Sequence, residues 1–473
     1  MKQEIKKIVE ERLEPTCSSP FRQTYHIMAD IGWISDPNGL CQHNGIYHIF
    51  HQYTPAQDQG LSKAWGHYTT KDWIHYIDEG CLMVPDQWLD KSGCYSGSGY
   101  SKDGKLHLFY TGNVLHEGDY DYIYEGRGHY VNTLSSENGI DFSDKECLLK
   151  NEDYPKTMSC HVRDPKVFEW NGAFYIVLGA RSREDRGCAL LYKSKDLKNF
   201  TFEQIIHSKQ PFGYMWECPD LFSLDGKRIL LCCPQGIPQE GIHYENIYQN
   251  GWFELEKKEN GNLEATIFHE FDHGFDFYAP QTMEDEQGRR ILIGWMGMPD
   301  AEYSNPEFKD GWIHCLTLPR ELKIKDNTLY QFPIQEILDL KENEKKIQLK
   351  KHEKIELQTR SFALHIEDLP TQFELKIRSD CKLSYQDQIL TLSLEKSGAG
   401  RKERHVQIKT IETIDLFSDE SSLEIFINRG ETCLTTRIYD IDRPIQLASN
   451  IDLSMTYYDM KAIQVDYSKV EGK

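Results

Sequence analysis

The sequence predicts an all-β protein, a five-bladed β-propeller followed by a C-terminal β-sandwich. Three observations carry this. A hairpin motif recurs five times at comparable spacing. A charged stretch, Lys341–Lys354, then interrupts the pattern and reads as a linker or a solvated strand. Beyond it, apolar residues alternate with polar ones at period two, as half-buried antiparallel strands require. The expected domains are an N-terminal extension over 1–24, a propeller over 25–335 and a sandwich over 341–473.

The chain opens with Met1 to Glu14, where single apolar residues are spaced among Lys, Glu and Arg. This reads as a short amphipathic surface helix. It lacks the uninterrupted apolar core of a secretory signal, and no run in the chain approaches the roughly 18 residues of a membrane span. Thirteen cysteines lie scattered without framework spacing, several inside apolar strands. Reduced thiols and a cytoplasmic location follow as expectations. The formal charge of −21 argues against nucleic acid, whose phosphates need clustered Lys and Arg. No zinc-type spacing and no phosphate-binding glycine loop are present, so neither metal nor cofactor is expected.

The five repeats begin at Asp36, Ser96, Asp164, Glu217 and Ala279. Each runs through a short strand into a turn and then an apolar, aromatic-rich strand. The turns are Asn44-Gly45, Asp103-Gly104, Asn171-Gly172, Asp225-Gly226 and Gln287-Gly288. Asn-Gly and Asp-Gly supply the positive φ of tight hairpins. The turn glycines lie 59, 68, 54 and 62 residues apart, enough for a four-stranded sheet each. Five such sheets arranged radially leave only short edges. A β-sandwich of similar hairpins is the alternative, and five recurrences favour the propeller. In the tail, Phe362, Leu364 and Ile366, then Leu423, Ile425 and Ile427, show the alternation. That domain carries no catalytic cluster. It is read as structural, with homodimerisation through it as a further expectation.

Three repeats place a carboxylate at nearly the same offset. Asp36, Asp164 and Glu217 stand nine, eight and nine residues before their turn glycines. In a propeller such positions encircle one axis, so the three acids should converge. Carboxylates that close raise at least one pKa, which keeps an acid protonated near neutral pH. Glycoside hydrolysis needs this pairing, with the carboxyls about 5–5.5 Å apart in a retaining enzyme. Each Asp-Pro alone would more often be a turn element; three together favour catalysis.

The same residues carry a resemblance. Trp33-Ile34-Ser35-Asp36-Pro37-Asn38-Gly39 resembles the WxNDPNG box of glycoside hydrolase family 32, the invertases and sucrose-6-phosphate hydrolases. Arg163-Asp164-Pro165 and Trp216-Glu217-Cys218-Pro219-Asp220 resemble its RDP and ECPD motifs. Trp65-Gly66-His67, Tyr95-Ser96-Gly97-Ser98, the segment from Phe275 to Pro280 and the segment from Leu318 to Leu322 extend the likeness. It implies a β-fructofuranosidase that cleaves sucrose, sucrose-6-phosphate or short fructo-oligosaccharides through a covalent fructosyl-enzyme intermediate. Asp36 would be the nucleophile, Glu217 the acid/base, and Asp164 the carboxylate that holds fructose hydroxyls. Arg163 would orient the acids. Ser35, Gln52, Tyr95 and Ser96 would bind substrate, and Trp65 and Trp295 would be apolar walls. Cys218 would pack beside the acid with an inert thiol.

Two departures stand out. Ser35 replaces the usual Asn before the nucleophile and offers one hydroxyl in place of two amide functions. Gly60 occupies a position that is aromatic in many members, which opens the leaving-group side. Lys63, Arg181 and Arg183 are candidate phosphate partners. The alternatives are a fructosyltransferase on the same acids, a propeller arabinan hydrolase, and a non-catalytic sugar-binding propeller. The last would be expected to lack Asp36 or Glu217, and both are present.

Overall fold

The computed structural model describes residues 2–56, 62–440 and 444–470. Gly60 therefore lies outside the described residues. Five antiparallel sheets follow one another along the chain. Blade I is built on Gly32–His43, blade II on Cys94–Lys102 and blade III on Met158–Trp170. Blade IV is built on Met215–Leu224 and blade V on Tyr278–Glu284. These first strands pack against one another around the axis. The propeller expected from the repeats is present.

The hairpin turns explain why the repeats read so clearly. Asn44, Asp103, Asn171 and Asp225 have φ of 48–52°, and each following glycine is also left-handed. Four turns thus have both central residues at positive φ, the geometry that suits twisted hairpins. The fifth differs. Gln287 is not left-handed, and the Asp285 carboxylate instead accepts bonds from the backbone N–H groups of Gln287 and Arg289.

Blade I takes in strands from later in the chain on both of its edges. Blade V makes a long excursion after Arg290–Trp295, within which Trp312–Ile313 pairs in parallel with Gly32 and Trp33 of blade I. The final strand, Gln464–Asp466, pairs in parallel with the outer edge of blade I at His75–Met83. The tail expected to belong wholly to the sandwich thus returns to cover an exposed propeller edge. The N-terminal helix Lys2–Cys17 buries Ile5, Ile8, Val9 and Leu13 in an apolar cluster with blade I. Its apolar face explains both the helix and its docking.

The sandwich consists of two six-stranded sheets. Lys341–Leu349 is a strand on the edge of one of them, paired with Leu453–Met460, which settles the charged stretch as a solvated edge strand. Ala363, Phe417, Phe426 and Cys433 of that sheet join the cluster that contains Ile293, Leu318 and Ile334 of blade V. One apolar core therefore runs across the domain junction. At its rim, His26 is buried between Asp419 at 2.8 Å and Glu424 at 2.9 Å. Arg320 is buried between Glu424 and Asp272.

Candidate active site

All five first strands break register near one end. The breaks fall between Ile34 and Pro37, Cys94 and Gly97, Arg163 and Lys166, Glu217 and Asp220, and Tyr278 and Gln281. Such bulges re-aim side chains at barrel and propeller mouths. In blades III to V the bulge residue is left-handed and precedes a proline: Asp164 at φ 62°, Cys218 at 48° and Ala279 at 47°. For Cys and Ala this conformation is strained, and strain of this kind gathers at functional sites.

The bulges refine the alignment of the three acids. Arg163, Glu217 and Tyr278 pair with Gly179, Cys233 and Trp295, each seven residues past its turn glycine. Glu217 is therefore the counterpart of Arg163 and Tyr278, one step from Asp164. In blade I a second break between Asn38 and Cys41 adds a residue before the turn. The near-equal offsets in the sequence thus combine two adjacent positions. Convergence results because neighbouring bulge residues both reach the mouth.

The mouth holds a pocket of about 590 Å³, in the range of small-molecule sites. Ser35, Asp36, Gln52, Tyr95, Ser96, Arg163, Asp164, Glu217 and Trp295 all line it. Trp65 does not. It is fully buried in the core shared by blades I and II, and its indole N–H donates to the Tyr95 carbonyl at 3.1 Å. The expectation of a Trp65 wall is corrected on this ground: its face of the strand points between the blades.

Each acid is held differently. Ser96 Oγ donates to Asp36 Oδ2 at 2.5 Å and accepts from Gln52 Nε2 at 2.9 Å. The Cys218 backbone N–H donates to Asp164 Oδ2 at 2.9 Å, and Thr111 Oγ1 accepts from the Asp164 N–H at 2.8 Å. Glu217 Oε2 accepts from Tyr278 OH at 2.6 Å and Gln235 Nε2 at 2.7 Å. Its Oε1 accepts from Arg163, whose other nitrogen bonds His161 Nδ1 at 2.7 Å. Sequence reading missed Tyr278 and Gln235 as partners of the acid. Register with Glu217 was the signal that would have found Tyr278.

Burial raises Asp36, against the lowering influence of Lys63 and of the Ser96 hydrogen bond. Burial pushes Asp164 up to about 7; Arg163 opposes this, and the Glu217 charge adds to it. Burial and the neighbouring carboxylates also drive the Cys218 thiol far up, so it cannot act as a thiolate. Four buried polar atoms of lining residues have no partner: Gln52 Oε1, Trp295 Nε1 and both ring nitrogens of His129. Orphaned groups gathered in one pocket fit a ligand rich in hydroxyls. Trp33 lies beside Trp295 at 6.4 Å and closes an aromatic wall. Among the described residues no cluster of His, Cys, Asp and Glu could hold a metal ion.

The profile of the glycosyl hydrolases family 32 N-terminal domain matches residues 26–333, and that of the family's C-terminal domain matches 335–464. The chain belongs to glycosyl hydrolase family 32. It is a glycoside hydrolase. Among curated relatives, the sucrose-6-phosphate hydrolase of Bacillus subtilis (strain 168) is 41% identical, with 91% of each chain covered. That of Staphylococcus xylosus is 35% identical over 96% of this chain and 95% of its own. Among solved structures, the sucrose-6-phosphate hydrolase of Lactobacillus gasseri has a TM-score of 0.87 at 28% identity, covering 97% and 96% of the two chains. A Bombyx mori β-fructofuranosidase variant in complex with sucrose has a TM-score of 0.84 at 28% identity, covering 98% and 99%. No helix among the described residues is long and apolar enough to cross a membrane.

Proposed function

We propose that the enzyme hydrolyses the β-fructofuranosyl bond of sucrose 6-phosphate or sucrose with retention of configuration. The observation that carries this is one pocket in which Asp36 and Glu217 come from different blades and are bonded differently. Asp36 has a hydroxyl donor on one oxygen and presents a carboxylate to the anomeric carbon. It attacks C2 of the fructosyl unit, the C2–O bond to the leaving sugar breaks, and Glu217 gives its proton to that oxygen. Water then attacks C2, Glu217 recovers the proton, and Asp36 leaves. Tyr278, Gln235 and Arg163 hold the Glu217 carboxyl in place through both steps. Asp164, raised to about 7, stands beside them as a carboxyl that need not ionise fully at neutral pH, which limits repulsion among three acids. Gln52 Oε1 and Trp295 Nε1 are free to bond sugar hydroxyls.

The phosphorylated substrate is included because the similar Bacillus and Staphylococcus enzymes are named for it. A cytoplasmic site of action fits thirteen cysteines of which none forms a disulfide. The test is methanolysis of sucrose followed by NMR. Methyl β-fructofuranoside as the first product is expected, and the α anomer would refute retention. A panel of sucrose, sucrose 6-phosphate, kestose and inulin ranks the substrates.

A further inference from the structure

One wall of the catalytic pocket carries positive charge beyond the Arg163 that holds the acids. Arg163 is committed to the acids. Arg127 and Lys63 also line the pocket, and neither has a carboxylate within 4.0 Å among the described residues. Arg127 Nε donates to the Tyr122 carbonyl at 3.0 Å and NH1 to Asn113 Oδ1 at 3.2 Å, both neutral oxygens. Lys63 Nζ lies 5.1 Å from the centre of the Tyr95 ring. Arg127 and Lys63 thus put two cations without a carboxylate partner at the mouth that holds the three acids.

His129 adds an independent sign. It is fully buried, it lines the pocket, and neither ring nitrogen has a partner. Tyr95 and His161 flank it with ring centres at 5.7 and 5.6 Å, so packing holds the ring where it is. Burying an imidazole unbonded is costly unless a ligand completes it. Burial and the charge of Arg163 keep both His129 and His161 neutral in the free enzyme. A group that accepts a hydrogen bond from the neutral His129 ring and carries negative charge for Arg127 and Lys63 would complete all three. A phosphoryl group has three acceptor oxygens and close to two charges. Arg181 and Arg183, which the sequence also offered for this role, do not line the pocket; Arg181 is paired with Asp185.

We propose that the wall of Arg127, His129 and Lys63 binds a phosphoryl group carried by the substrate, with Arg127 and His129 selecting for it. This rests on the fructoside reading above. Its test is the ratio of specificity constants for sucrose 6-phosphate and sucrose, in the wild type, in Arg127→Gln and in His129→Phe. The wild type should favour the phosphorylated sugar at least tenfold, and each substitution should reduce that ratio about tenfold or more. A ratio near one in the wild type, with both sugars cleaved, overturns the phosphoryl site and leaves the fructosidase reading intact. Equal losses on both sugars in the variants overturn it too, since a merely structural role moves both alike. If neither sugar is cleaved, the fructoside reading fails first.

A binding arm needs no turnover. Glucose 6-phosphate, fructose 6-phosphate and inorganic phosphate are each titrated while thermal stabilisation is followed. Protection of the wild type by one hexose phosphate, lost in Arg127→Gln, shows which half of the substrate bears the group. Identical curves for wild type and variant with all three ligands overturn the proposal. Arg127 is half-buried at the mouth, so its variant carries the test even if His129→Phe fails to fold.

Discussion

The buried charge cluster at the domain junction and the one in the pocket are built in opposite ways. At the domain junction, burial alone would push His26 down, but its hydrogen bonds to Asp419 and Glu424 outweigh that and raise it. Asp419 and Glu424 are held below their ordinary values despite burial, by His26 and, for Glu424, by Arg320. Every charge there has a partner. In the pocket, burial wins: Asp36 and Asp164 are raised, and His129 is buried with both nitrogens unbonded. The junction is complete without a ligand and so serves cohesion. The pocket is incomplete without one and so serves binding and proton transfer.

The sharpest way to break this contrast is at Asp36, the proposed nucleophile. Asp36→Ala should lower kcat by about 10⁴–10⁶-fold while the protein stays folded, as expected when a covalent step is lost. Steady-state kinetics alongside a thermal melt checks both halves. Near-normal turnover would remove Asp36 from the mechanism. The mirror experiment is Glu424→Ala, which removes one of the two carboxylates that hold each of Arg320 and His26 and leaves them only Asp272 and Asp419. A loss of roughly 3–5 kcal/mol in denaturant unfolding is expected, as for breaking a buried pair, with turnover per folded molecule retained.

The carboxylates of the two clusters should also answer pH with opposite sign. A raised His26 contributes stability that is fully present below about 6.5 and is lost as pH rises through its folded value. The lowered Asp419 and Glu424 contribute stability present above about 4.3 and lost as pH falls through their folded values. The junction is therefore strongest between about pH 4.5 and 6.5. Asp164 works against the direction of those two acids and in the direction of His26. With its value raised from 3.8 to about 7, the fold binds a proton the unfolded chain releases, so stability falls as pH rises between those values. Asp164→Asn should melt higher than the wild type at pH 8, gain little at pH 4, and lose activity. An equal shift at both pH values would contradict the assignment.

The smallest effect concerns Ser96. Its hydroxyl bond to Asp36 favours the carboxylate. Ser96→Ala should raise the Asp36 value further and move the acidic limb of kcat/KM up by about one pH unit, given the worth of a hydrogen bond to a charged group. An unmoved limb would mean that another group sets it.

How much was legible in advance varies with the range of the interaction. Asn-Gly and Asp-Gly turns are local, and their positive φ is written into the residue pair, so four blades could be counted from them and the fifth from the spacing of Gly288. The acids could be named for the same reason, since each precedes or neighbours a proline at a strand mouth. Trp65 was misplaced because a strand residue next to a site motif can face either way. Only the packing of blade I on blade II shows which.

The sequence by itself determined the blade number, the order of propeller and sandwich, and which three carboxylates folding gathers in one pocket, because periodicity, turn chemistry and short motifs are local properties. Tertiary structure decided the rest. The bulges set Glu217 one step from Asp164, and Tyr278 and Gln235 came from two other strands to hold it. Arg127 and His129 acquired meaning only when folding placed them at the mouth with no carboxylate paired to the one and no bond to the ring of the other. Such absences depend on what surrounds a side chain in space, and the order of residues along a chain does not record it.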